Sequence, residues 1–141
     1  MTVKLNTSIV MLPKEPMQPR FADDRVGFFQ NSLTEFSDDQ QTTDRGAIIQ
    51  RYRLEPKDPE RYRRGQLSEP KNPIIYYIDP ATPKKWIPYL KAGVEDWNTA
   101  FEAAGFKNAI IAKEWPNDPN MSLDDARYSV IRYLPVSYTH L

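Results

Sequence analysis

Carboxylates are the side chains most able to do chemistry in this sequence, and several occur in adjacent pairs, among them Asp38–Asp39, Glu95–Asp96 and Asp124–Asp125. General acid–base or metal chemistry needs two carboxylates that converge on one point. Adjacent residues diverge on a strand or a helix. The pairs at 38–39 and 124–125 therefore read as solvated loop charges, and Glu95–Asp96 as helix-surface charge. Asp79 stands apart, because it ends an apolar run where ligands gather in α/β sheets. Beside the Pro80–Pro83 turn it is expected to accept hydrogen bonds from neighbouring amides. Arg61, Arg63 and Arg64 would attract phosphate, but Glu55, Asp58 and Glu60 dilute the field. Trp86 and Trp97 are expected to be core or sheet-facing anchors, and Trp115 to cover a core edge.

The missing chemistry is as informative. There is no cysteine and one histidine, His140. A zinc site takes roughly three or four protein ligands, so His140 reads as a bystander. No Gly-rich phosphate loop, G-x-S-x-G elbow or H-E-x-x-H helix occurs. No catalytic, cofactor-binding or metal-binding residue is therefore assigned.

The elements that would position any site follow from pattern. The 141 residues suffice for one domain, with 40% hydrophobic and 12% aromatic residues. Nineteen basic and nineteen acidic residues cancel, which argues against a dedicated nucleic-acid binder. No signal-peptide pattern opens the chain and no apolar run approaches the length of a membrane span. Alternation predicts a strand over residues 1–12, beginning abruptly, as if an upstream segment were missing. Pro13, Pro16 and Pro19 impose an irregular surface stretch. Val26–Phe29 reads as a short strand or a loop anchored by its aromatics. Residues 31–45 have loop composition, and Ala47–Leu54 reads as a half-buried strand. A charge-dense linker spans 51–71, with a helical turn over Glu60–Arg64.

The signals sharpen beyond Asn72. Residues 73–79 predict a central strand covered on both faces. Trp86, Tyr89, Leu90, Gly93, Trp97, Ala100, Phe101 and Ala104 define the apolar stripe of one long helix over 86–104. Pro88 falls in its first turn, and Gly105–Phe106 supplies a Schellman-like ending. Strands follow at 108–112 and 128–133, with Ser122 and Asp125 resembling a capping box. Strand, helix, strand is a crossover unit with parallel strands.

Several strings carry a family resemblance: Leu12–Arg20 (LPKEPMQPR), Asp24–Phe29 (DRVGFF), Arg53–Lys57, Glu69–Pro83 (EPKNPIIYYIDPATP), Gly93–Trp97, Phe101–Phe106 and Asp125–Tyr133. Together they are similar to large bacterial zinc-dependent metallopeptidases, best represented in Bacteroidetes, in which domains of unknown function precede a metzincin-like catalytic unit. The resemblance implies an α/β (α+β) fold: the N-terminal part of a zincin-like mixed sheet with a long covering helix, preceded by an extended β-containing arm. It implies an arm or linker over 1–70, the first half of a catalytic domain over 71–134, and a non-native tail over 135–141. The parent would use zinc-activated water to hydrolyse peptide bonds and would be periplasmic, outer-membrane-associated or secreted. The fragment would hold no zinc, and its partner would be the missing C-terminal half of its own catalytic domain. Peptide or protein substrates belong to the parent, and neither nucleic acid nor membrane is an expected partner. The alternative is a non-catalytic α/β binding or structural module.

Overall fold

A computed structural model describes residues 3, 5–36, 38 and 41–135. The chain divides into two compact units, one of residues 11–53 and one of residues 1–10 with 54–141. The fold is mixed α+β, with a small antiparallel sheet, a parallel sheet and short helices.

The smaller unit is built on a hairpin. Strand β1 (Gln30–Glu35) pairs antiparallel with β2 (Asp44–Ile49), from Gln30 opposite Ile49 to Glu35 opposite Asp44. Residues 20–22 run along the other side of β2, where Ala22 N–H donates to Ala47 C=O at 2.8 Å and Ile49 N–H to Arg20 C=O at 2.9 Å. The preceding prolines lack donors of their own. Arginine side chains bind the carbonyls between them instead: Arg51 Nη2 donates to Gln18 C=O at 2.7 Å and Arg53 Nη1 to Glu15 C=O at 3.0 Å.

Four expectations are corrected over residues 1–54. The loop expected over 31–45 contains β1 and the start of β2, because backbone pairing holds Asn31, Ser32 and Thr34 extended although nearly all of β1 is solvent-exposed. With both faces wet, no alternation marks the strand. The strand expected over 47–54 lies earlier and stops at Ile49, since Arg51 and Arg53 are drawn to the proline stretch. Val26–Phe29 forms neither a strand nor an anchor, and Phe29 is 87% exposed. The strand expected over 1–12 is also absent among its described residues. The alternation is read around Leu5, Ser8, Val10 and Leu12, but Leu5, Val10 and Leu12 stay exposed and pair with no strand among the described residues.

The linker expected over 51–71 does more than link, and from residue 54 onward it belongs to the larger unit. Helix α1 (Pro59–Arg63) begins at Asp58, whose Oδ1 accepts from Glu60 N–H at 3.1 Å and Arg61 N–H at 3.0 Å, with Pro59 in the first turn. It ends at Gly65, φ 72°, with Gln66 N–H donating to Arg61 C=O at 3.0 Å. That is a Schellman ending. The flanks of α1 close on each other, as Lys57 N–H donates to Glu69 C=O and Lys71 N–H to Glu55 C=O, each at 2.8 Å.

Strand β3 (Ile74–Ile78) lies between β4 (Ile110–Glu114) and β5 (Ser129–Ile131), parallel to both. The expected central strand and the parallel crossover are both present. Ile74, Ile78, Phe106, Ala109, Ile110 and Ala112 form the buried core.

The long helix is broken into α2 (Ile87–Glu95) and α3 (Asn98–Ala103), with Asp96 and Trp97 between them still in right-handed helical conformation. Thr99 and Ala100 N–H reach back three residues, to Asp96 and Trp97 C=O, so the turn is locally tightened. The expected apolar stripe mixed two faces. Ile87, Leu90, Val94 and Phe101 are half-buried, whereas Trp86, Tyr89 and Trp97 are exposed. Trp86 and Trp97 are therefore neither core nor sheet-facing anchors. Aromatic residues at helical spacing drew the stripe, but the smaller aliphatic side chains fit between helix and strand.

Helix α3 ends as expected. Gly105 has φ 91°, Phe106 N–H donates to Phe101 C=O at 2.8 Å and Gly105 N–H to Glu102 C=O at 2.9 Å. A Cβ on Gly105 would lie 2.7 Å from the Tyr62 ring, which packs 5.1 Å from the Phe106 ring centroid. At Gly65 a Cβ would meet nothing. Gly65→Ala is expected to cost about 1 kcal/mol from backbone strain alone. Gly105→Ala adds a steric clash and should cost roughly twice that or more. Paired denaturant melts check the order; equal losses would refute the Tyr62 contact.

Candidate functional site

The first candidate is the free edge of β4. Alternation along a strand sends successive backbone groups to opposite sides. Ile74 N–H donates to Ala109 C=O on the inner side, so Ile110 and Ala112 turn their amides outward. Side chains from the helices meet them. Asn98 Oδ1 accepts from Ala109 N–H at 3.0 Å and Ile110 N–H at 3.2 Å, and its Nδ2 donates to Ile110 C=O at 2.9 Å. Glu95 Oε1 accepts from Ala112 N–H at 3.3 Å. Lys91 Nζ lies 2.7 Å from Glu114 Oε1. Lys91, Glu95 and Asn98 are spaced by four and three, which puts them on one helix face. They substitute for a neighbouring strand.

Beside this edge is an open groove of about 530 Å³, lined by Lys57, Glu69, Lys71, Glu95, Asn98 and Asn108 among others. Its charges are of both signs and already matched. Lys57 and Lys107 each lie 3.9 Å from Glu69, and Lys71 lies 3.3 Å from Glu55. Exposed pairs of this kind contribute little stability, and together they concentrate no field of either sign.

The second candidate is the carboxyl end of the parallel strands. Asp79 is buried, as few aspartates are. Its Oδ1 accepts from Ala81 N–H at 2.8 Å and its Oδ2 from Tyr133 N–H at 3.3 Å, with Arg132 Nε also 3.3 Å from Oδ2. The amide contacts match the sequence reading; the arginine was not foreseen. Arg132 Nη1 continues to Asp124 Oδ1 at 3.2 Å and Leu123 C=O at 3.1 Å. Next to it, Thr82 Oγ1 is buried without a hydrogen-bond partner among the described residues. Tyr77, Trp115 and Tyr128 meet edge to face, with centroids 5.4–5.9 Å apart. Trp115 thus covers a core edge.

The remaining residues do not assemble a reactive centre. Asp124 and Asp125 diverge: Asp124 faces Arg132, while Asp125 takes a paired contact from Arg127 at 2.6 and 2.9 Å. The Arg127 side-chain hydrogen bonds, then its backbone N–H, hold the Asp125 carboxyl below the usual carboxylate range. Ser122 and Asp125 form no capping box, because Asp125 is engaged by Arg127. Arg63 pairs with Glu60, and Arg61 and Arg64 stay exposed, so no phosphate cradle forms. Asp39 and His140 lie outside the described residues, as does nearly all of the expected tail over 135–141. Among the described residues no group of three or more His, Cys, Asp or Glu is placed to hold a metal ion. No helix there is long and apolar enough to cross a membrane.

With this geometry in view, comparison with known proteins adds one match. A family described as a domain of unknown function, DUF5117, matches residues 1–57. The matched segment includes the whole smaller unit and ends just before α1. No curated protein and no solved structure matches the chain.

Sequence reasoning passed over Glu95 as surface charge and did not single out Lys91 or Asn98. The signal was there: all three interrupt the inward stripe of Ile87, Leu90, Val94 and Phe101. A polar residue among core-facing helix positions must bind something. Asn98→Ala leaves three backbone groups at the start of β4 without partners. Its expected cost is about 2–3 kcal/mol, with faster amide exchange at Ile110. A loss under about 0.5 kcal/mol would show that the edge does not need the clip.

Proposed function

We propose that the chain is a non-catalytic α/β binding or structural module whose sheet accepts a further strand beside β5. The observation that carries this reading is the inequality of the two edges. Asn98 and Glu95 occupy the outer amides of β4. On the other side, Asp79 N–H donates to Ile131 C=O at 3.1 Å, so Ile131 faces β3. Val130 and Arg132 then turn their backbone groups outward, where no hydrogen bond meets them among the described residues. Parallel sheets are normally covered, and a bare edge is a template for pairing. The matched charges of the groove and the separately engaged acids fit a surface that binds rather than reacts.

Hydrogen–deuterium exchange on dilute protein tests the inequality. Val130 and Arg132 amides should exchange quickly while Ile110 and Ala112 are protected. Protection at Val130 in the monomer would overturn the reading. Val130→Pro removes only an outward donor and should leave the melting temperature nearly unchanged.

A second reading is supported by the resemblance of the Glu69–Pro83 and Asp125–Tyr133 strings, together with the parallel strand–helix–strand unit. In it, residues 71–134 form the opening of a metzincin-like catalytic domain within a zinc-dependent metalloendopeptidase, and the strand beside β5 comes from the same polypeptide. Zinc and the general base would then be held by residues beyond this chain. The parent would be periplasmic, outer-membrane-associated or secreted. Two protein lengths separate the readings. This 141-residue chain should bind no stoichiometric zinc, and a longer product of the same reading frame should bind one equivalent and cleave peptides. Tight zinc binding by the short chain, or none by the longer one, would sink the peptidase reading.

A further inference from the structure

The segment that leads into the β1–β2 hairpin carries a pattern with no role so far. Pro13, Pro16 and Pro19 recur at intervals of three. Proline fixes its own φ at about −65°, and the residue before it is pushed into extended geometry. Glu15, Pro16, Gln18 and Pro19 are therefore all biased towards polyproline II, a helix with about three residues per turn. The contacts keep the same interval. Arg53 and Arg51 bind the carbonyls of Glu15 and Gln18, three positions apart, and Phe21 bridges to Ile48 just beyond. Met17 is half-buried, whereas Pro16, Gln18, Pro19 and Arg20 are exposed. The arginines and β2 thus fasten the segment, and Pro16 and Pro19 form one ridge in solvent.

The chemistry of that ridge decides what fits it. Pro16 and Pro19 have no N–H to donate, so a strand edge makes a poor partner. The carbonyls of Pro16, Met17 and Pro19 meet no hydrogen bond among the described residues. The ridge therefore offers apolar rings and acceptors, and its complement must supply apolar walls and donors. Tryptophan and tyrosine combine both in one side chain. Arg20, next to Pro19, is exposed and pairs with no carboxylate among the described residues. A complementary groove carries an acid at that end. Binding would cost little ordering, because the segment is already held extended.

We propose that Pro16–Arg20 is a docking segment for a separate protein domain whose groove is lined by tryptophan and tyrosine and flanked by a carboxylate. The segment lies within the smaller unit, so the inference stands apart from the strand-accepting role proposed for β5.

An isolated SH3 domain that selects P-x-x-P-R peptides has a groove of this kind and serves as the probe. Titrated with the unlabelled 141-residue chain, the groove indole N–H resonance of the isotope-labelled probe should shift saturably. Pro16→Ala combined with Pro19→Ala should raise the dissociation constant by at least about tenfold and leave the circular dichroism of the chain unchanged. Arg20→Glu should also weaken binding. Arg51→Ala leaves every ridge residue in place and should still weaken binding several-fold, because it releases the Gln18 carbonyl. No saturable shift, or an affinity indifferent to the double proline substitution or to Arg20→Glu, would overturn the proposal. An Arg51→Ala chain that binds as tightly as the parent would overturn the claim that the fold presents the ridge.

Discussion

The parallel sheet depends on how the amides of β4 are satisfied. A strand at the margin of a three-stranded sheet has a full row of backbone groups on its outer side. Here Asn98 acts as a peptide group on a helix, offering both a donor and an acceptor to Ile110. Glu95 adds an acceptor one step along, and Lys91 secures the far end through Glu114. This alignment fixes the rotation of α2 about its own axis. Once Lys91, Glu95 and Asn98 face the edge, Ile87, Leu90 and Val94 face the sheet and Trp86, Tyr89 and Trp97 must face away. The exposed aromatic row is thus a consequence of the edge clip.

The other half of the sheet is held differently. β5 pairs with β3 over three residues, and the buried carboxylate of Asp79 ties down the chain just after it. A buried charge is tolerated when its oxygens are all engaged. Two amides and the Arg132 guanidinium do that here, and Arg132 in turn gathers Asp124 and the Leu123 carbonyl. One carboxylate therefore positions both the turn after β3 and the loop leading into β5.

Legibility followed the range of the interactions. The end of α3 could be read because capping is local: Gly105 followed by Phe106 announces its own geometry. The strand at 74–78 was plain because its β-branched and aromatic run admits few other structures. The hairpin of β1 and β2 was hidden, since its polar, two-sided exposure leaves no alternation to detect. The outward orientation of Trp86 and Trp97 was hidden for a different reason. It is decided by Asn98 meeting Ile110, twelve residues away, and no window along the helix contains that information. The Arg132–Asp79 pair spans 53 positions and was invisible on the same grounds.

The break between α2 and α3 has a mechanical consequence. Asp96 and Trp97 keep helical dihedrals but shift to the tighter spacing of three-residue hydrogen bonds. A tightened turn rises further per residue and rotates more than an α-helical one. It therefore changes the phase between α2 and α3 without ending the rod. In an unbroken helix the seven positions from Lys91 to Asn98 would fix both the spacing and the relative heading of their side chains. The inserted turn makes that heading adjustable, so Asn98 can be aimed at Ile110 while Lys91 stays aligned with Glu114. The joint serves as a vernier between a rod and a twisted strand.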